Sequence, residues 1–160
     1  LEVIKMENLD TTGPAFRDGE KIPKKYTCQG DNINPEINIK GIPAGTKSIV
    51  IIMDDPDAPV GTFDHWISWN INPAQSTITE NSEPGIKGKN GFGNLGYGGP
   101  CPPSGTHRYF FRIYALDSEL DLPEGSNRKD LELSMQEHII AQGHTMGTYQ
   151  KNNIQTPRNP

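Results

Sequence analysis

The sequence predicts a mainly β fold, an antiparallel sandwich with one clear α-helix in its C-terminal half and short helical turns. Three observations predict it. Short runs rich in β-branched and aromatic residues recur along the chain, each bounded by turn residues. Gly 17 and Pro 14 make up about a fifth of the 160 residues, above the ordinary share of roughly 12%, so many short elements must be joined by tight turns. Only one segment carries a helical apolar repeat.

In chain order, Val3 to Met6 and Glu36 to Ile39 read as minor strands. Lys47 to Met53 is a β-branched run apolar on both faces, the pattern of a central strand. Phe63 to Ile71 is rich in β-formers and ends at Asn72-Pro73. Thr77 to Leu95 is polar and glycine-rich and reads as a long surface loop. His107 to Leu116 is the densest strand, closed by Asp117-Ser118, and Thr145 to Tyr149 is a weaker last one. Between these two, Asn127 can cap a helix with Asp130 at its third position. Leu131, Met135 and Ile139 follow at a four-residue step, and Gly143 offers a stop. One domain over residues 1–150 is expected, with 151–160 as a flexible tail.

Bulk charge narrows the partners. A formal net charge of -5 argues against a nucleic-acid or anionic-membrane surface, which needs a basic patch. No run approaches the ~20 apolar residues of a membrane span. Cys28 and Cys101 read as a reduced intracellular pair, which places the chain in the cytoplasm. Were they joined, the closed loop would add roughly 4 kcal/mol on the chain-entropy model.

Polar residues cluster in stiff backbone. Asp55-Pro56-Asp57-Ala58-Pro59 and Gly98-Gly99-Pro100-Cys101-Pro102-Pro103-Ser104-Gly105-Thr106-His107-Arg108-Tyr109 couple rigid loops to groups that bind anions or move protons, with Asp64-His65-Trp66 between them. Strand alternation points His107 and Tyr109 the same way, about 6.6 Å apart along the backbone, and Arg108 the other. His65 near one strand start and Asp55 at another strand end can join them in a single hollow with backbone donors from Gly98 to Gly105. That set suits phosphate or another small oxyanion, held by hydrogen bonds and a protonated imidazole.

Blander readings stand beside it. Alone, the Asp-Pro-Asp run is a turn, and His65 beside Trp66 is a core histidine. His138 and His144 are read as structural. Gly91-Phe92-Gly93-Asn94-Leu95-Gly96 matches a dinucleotide fingerprint in letters only, because Gly98-Gly99-Pro100 follows where a helix should begin. A metal site from Asp55, Asp57, His65 and His107 is chemically conceivable, but neither metal nor cofactor is assigned.

Together, Asp55-Pro56-Asp57-Ala58-Pro59, Asp64-His65-Trp66 and Gly99-Pro100 through His107-Arg108-Tyr109 resemble the phosphatidylethanolamine-binding protein family, which includes kinase-inhibitor members. Within it the chain is similar to the small bacterial and archaeal branch. The likeness runs from Tyr26-Thr27-Cys28 through Asn90-Gly91-Phe92-Gly93 to Gly147-Thr148-Tyr149. It implies that family's sandwich and one anion pocket lined by Asp55, His65, Gly99, Pro100, His107 and Tyr109, with Asp57 and Pro59 shaping the rim. His65, Tyr109 and the Gly99 N–H would donate to the oxyanion, while Asp55 orients the imidazoles. The resemblance implies a non-enzymatic binder of a phosphate-like or phospholipid head group, with a kinase or serine protease as a possible protein target. The C-terminal helix of animal members has no counterpart after Tyr149, where Lys151-Asn152-Asn153 follows, leaving one side open for a partner or a second subunit. A hydrolase using His65 or His107 as base beside Asp55, and an inhibitor acting through Thr77 to Leu95, remain as rivals.

Overall fold

The computed structural model describes residues 6–151. Its strands are β1 (Glu7–Asn8), β2 (Asp10–Thr12), β3 (Ile37–Lys40), β4 (Ser48–Asp55), β5 (Phe63–Ile71), β6 (Thr77–Ile78), β7 (Ile86–Lys87), β8 (Thr106–Leu116) and β9 (Ile139–Gln150). Helix α1 is Arg128–Met135, and a 3-10 turn spans Lys24–Tyr26. A six-stranded sheet runs β1-β9-β8-β4-β5-β7 and a three-stranded one β2-β3-β6. Every pairing is antiparallel except β1 with β9.

The central position of β4 follows from its sequence. Ile49, Ile51 and Met53 pack with Ile37, Ile39 and Ile78 of the small sheet, while Val50 and Ile52 pack with Leu131 and Met135 of α1. A strand covered on both faces must be apolar at every position, which alternation alone would not produce. Asn127 caps α1 by accepting from the Asp130 N–H at 2.9 Å.

Several expectations need correction. The helix ends at Met135, and Ile139 opens β9. Ile139 still packs on the helix-side core, so the apolar step marked the buried face, while eleven cross-strand pairs with β8 decided the conformation. Gly143 is no helix stop: it lies in β9, where an added Cβ would come within 1.9 Å of the Leu9 carbonyl oxygen. Thr77 to Leu95 is not a surface loop throughout. It contributes β6 and β7 to the two sheets, with Ile78 and Asn90 buried. Of Val3 to Met6, residues 3–5 lie outside the described span, and Met6 precedes the first strand. The tail 152–160 also lies outside it. Cys28 and Cys101 are joined in a disulfide, with Cα atoms 5.5 Å apart, and are not free thiols.

Candidate functional site

β4 and β8 are antiparallel neighbours, so the end of one lies beside the start of the other and Asp55 meets His107. Asp55 Oδ2 accepts from His107 Nδ1 at 2.6 Å, and its Oδ1 accepts the Asp57 N–H at 2.8 Å. The Asp-Pro-Asp turn thus fixes the carboxylate, and the carboxylate fixes the ring. Asp57 faces outward and holds Arg108 through its N–H, Nε and Nη2, each at 2.9 Å. The Arg108 guanidinium lowers the Asp57 pKa to about 2.

His65 arrives by a different device. Met53 pairs with Trp66, but Asp54 pairs with Asp64 and Asp55 with Phe63, so His65 is the extra residue of a β-bulge. Counted back from Trp66, strict alternation would put its ring on the helix side of the sheet. The bulge instead turns it toward Phe63, Phe92 and Tyr109, with ring centroids 4.9, 5.4 and 5.2 Å away. Its Nδ1 lies 2.7 Å from the Gly98 carbonyl oxygen, an acceptor only, so Nδ1 carries the hydrogen. Burial pushes the His65 pKa below its usual value, against a smaller opposing pull from Gly98 and Asp55. The expected protonated imidazole is therefore not His65 near neutral pH.

Asp55, His65, His107 and Tyr109 line one cavity of about 130 Å³, walled by Ala58, Phe63, Phe92, Cys101, Pro102 and Pro103. Tyr109 Oη is buried there and makes no hydrogen bond of full geometry with a described residue, although the Asp55 carboxylate lies close enough to act on it as an acceptor. Burial first, and then the Asp55 charge, raise its pKa far above the ordinary phenol value, so it stays an O–H donor. The other such orphan, Trp66 Nε1, belongs to a core residue.

Other expected residues sit elsewhere. The Gly99 N–H is not free for a ligand: it donates to Asn32 Oδ1 at 2.8 Å. Gly99 lines a neighbouring cavity of about 280 Å³ with Asn32, Asn94 and Tyr97, and a Cβ there would come within 2.2 Å of the Tyr26 carbonyl oxygen. The Pro100 carbonyl accepts from the Cys28 N–H at 3.1 Å. Pro59 is exposed and outside the lining.

Sequence reasoning missed Phe63 and Phe92. Phe63 stands two residues before His65, and that period-two spacing was the signal that could have placed both on one side. Phe92 is held by Asn90, whose Oδ1 accepts the N–H groups of Phe92 and Asn94 while its Nδ2 donates to the Gly96 carbonyl. The glycine pattern at 91–96 is this Asn-centred turn.

Comparison with known proteins supplies the context. The family model described as phosphatidylethanolamine-binding protein matches residues 12–150. A UPF0098 protein of Aquifex aeolicus is 51% identical over 89% of both chains, and one of Pyrococcus horikoshii is 47% identical over 85% of this chain and 74% of its own. The solved chain CT736 of Chlamydia trachomatis superposes with a TM-score of 0.88 at 41% identity, covering 91% of this chain and 99% of that one. YbcL of E. coli, described as a member of the mammalian PEBP family, gives 0.84 at 26% identity over 90% and 99%.

Proposed function

The chain belongs to the phosphatidylethanolamine-binding protein family, and on that premise we propose that its hollow binds phosphate or another small phosphorylated group without turning it over. The observation that carries this reading is the buried Tyr109 hydroxyl, without a hydrogen bond of full geometry, beside His65 and the Asp55–His107 pair. An orphan hydroxyl costs roughly 1–3 kcal/mol in a finished core. It is tolerated where a ligand supplies the missing acceptor. Ala58, Phe63, Phe92, Pro102 and Pro103 exclude water around it and strengthen each polar contact.

Calorimetric titration of phosphate and phosphoethanolamine at about pH 5.5 and pH 8 tests the reading through its imidazoles. Tighter binding at the lower pH, lost in Tyr109→Phe, is expected. Equal affinity at both pH values, or an unaffected variant, counts against it. Turnover of a phosphoester that vanishes in His107→Ala would replace it with a hydrolase.

Regulation of a kinase or protease is the second reading, favoured by the apolar rim. Val60, 98% exposed, lies between the lining residues Ala58 and Phe63, and Phe92 is 47% exposed. Such a partner would meet this rim, to which the 77–95 segment contributes Phe92. That segment is pinned where Asn34 Nδ2 donates to the Thr79 carbonyl and Glu83 Oε1 accepts the Tyr97 N–H. No described helix is long and apolar enough to cross a membrane. The cytoplasmic expectation rested on free thiols, a ground the disulfide removes.

A further inference from the structure

Both imidazoles of the hollow have their Nδ1 atoms committed, His65 to the Gly98 carbonyl and His107 to Asp55 Oδ2. Each acceptor demands a hydrogen on Nδ1, so Nε2 is the nitrogen each ring offers to a ligand. No hydrogen bond of full geometry joins either Nε2 to a described residue, and the second backbone group bearing on the His65 ring, Gly99, adjoins the Gly98 that holds Nδ1. On His65 it is a bare lone pair whenever the ring is neutral.

A fully deprotonated oxyanion presents only lone pairs. Against His65 Nε2 it would set acceptor against acceptor in a buried site, leaving both unsatisfied. We propose that the hollow selects oxyanions that carry their own proton, phosphomonoesters and inorganic phosphate, over sulfate and phosphodiesters. The ligand P–OH donates to His65 Nε2, while its charged oxygens accept from the Tyr109 hydroxyl. This specificity rests on the binding function proposed above and adds to it the class of ligand.

The surroundings leave His65 as the group that demands the proton. From β4, Asp55 faces the hollow, already bonded to the His107 ring and the Asp57 N–H. From β5, Asp64 turns away to Arg128, 2.9 Å from its Oδ1. β8 contributes His107 and Tyr109, while Arg108 is occupied by Asp57 outside. The wall of Phe92, Cys101, Pro102 and Pro103 has no titrating side chain, the cysteine being in the disulfide. Burial keeps the His65 ring neutral to lower pH than an ordinary histidine. A phosphomonoester has its second pKa near ~6 and so carries a proton at pH values where a sulfate or a diester has none. The cavity, about 130 Å³, equals roughly four water volumes at ~30 Å³ each. It has room for one phosphoryl-sized group.

The test is competitive calorimetry near pH 6.5 with methyl phosphate, inorganic phosphate, sulfate, dimethyl phosphate and glycerophosphoethanolamine, the last a soluble diester of a lipid head group. Methyl phosphate and phosphate are expected to bind at least tenfold more tightly than the other three. On lowering the pH, phosphate should gain affinity before sulfate does. Equal affinity for methyl phosphate and sulfate, or tighter binding of either diester, overturns the specificity and leaves oxyanion binding standing. Failure of every oxyanion to bind overturns both. Because His65→Gln could disturb the bulge, a ¹⁵N spectrum of the wild-type ring gives a second readout. Neutral His65 with its hydrogen on Nδ1 supports the proposal, and the opposite tautomer or a protonated ring at pH 6.5 overturns it.

Discussion

Asp54 and Asp55 are consecutive on β4 and project to opposite faces of the large sheet, into environments that treat a carboxylate in opposite ways. On the helix side, Asp54 accepts from Arg112 Nε at 2.9 Å and Arg128 Nη1 at 2.7 Å, and Arg128 Nη1 reaches Asp64 Oδ1 at 2.9 Å. Each charge there is answered by another, and α1 is tied to the sheet as a result. On the other side, Asp55 is answered by His107, but the adjacent Tyr109 hydroxyl has no hydrogen bond of full geometry. Two identical residues, one peptide apart, show that burial of a charge does not mark a functional site. Incomplete satisfaction around it is what singles out the hollow as the candidate site.

The comparison can be broken hardest at the disulfide, which braces only the hollow side. Cys101 lines the cavity and is fastened to Cys28 across 73 residues of sequence. Removing that link is expected to lower stability by up to about 4 kcal/mol on the chain-entropy model. Thermal melts with and without reductant read this loss. Phosphate affinity should fall with it, because Pro102 and Pro103 lose their anchor, whereas a purely structural brace would leave affinity per folded molecule unchanged.

Asp54→Ala cuts the other side. It strands Arg112 and Arg128, and removal of one partner from a buried ion network costs about 3–5 kcal/mol when the network is dry. Here the arginine side chains are 30% and 21% exposed, so about 2–3 kcal/mol is the better expectation, measured by urea unfolding. Phosphate binding should survive in the folded fraction. A binding defect as large as that of Tyr109→Phe would erase the distinction between the two faces.

Tyr109→Phe sharpens the contrast from within the hollow. It deletes a buried hydroxyl that makes no hydrogen bond of full geometry, so the free protein should hold about level. Affinity for phosphate should fall about tenfold or more, since a hydrogen bond to a charged group contributes roughly 1.5–3 kcal/mol. Binding lost at unchanged stability is the mark of a residue kept for a ligand. A variant that loses stability and keeps affinity would reassign Tyr109 to the core.

How far this division was legible in the sequence depends on how local its cause is. β4 declared itself by being apolar on both faces, and the pocket quartet by polar residues at strand ends. The bulge at His65 did not, because it exists only in the register between β5 and β4. Strands of two or three residues such as β2, β6 and β7 have too little sequence to show a period, and their pairing partners are distant. Ile139 misled because one apolar position served two conformations. The disulfide turned on proximity between loops 73 residues apart, which spacing does not encode.

The smallest expected effect belongs to acid titration, and its sign follows from two depressed pKa values. In the unfolded chain His65 takes up a proton near ~6.5, whereas in the fold burial delays that uptake. Its contribution is therefore complete above that pH and declines as the pH drops toward the folded value. Asp57 repeats the pattern lower down, from ~3.9 unfolded to about 2 folded beside Arg108. The Arg108 side chain is 51% exposed, so the pair contributes under about 1 kcal/mol, weakened further by salt. Asp57→Asn should flatten only the step between about pH 4 and pH 2 in chemical-denaturation profiles. Loss of the histidine step in that variant as well would mean that the rim turn and the bulged histidine titrate as one unit.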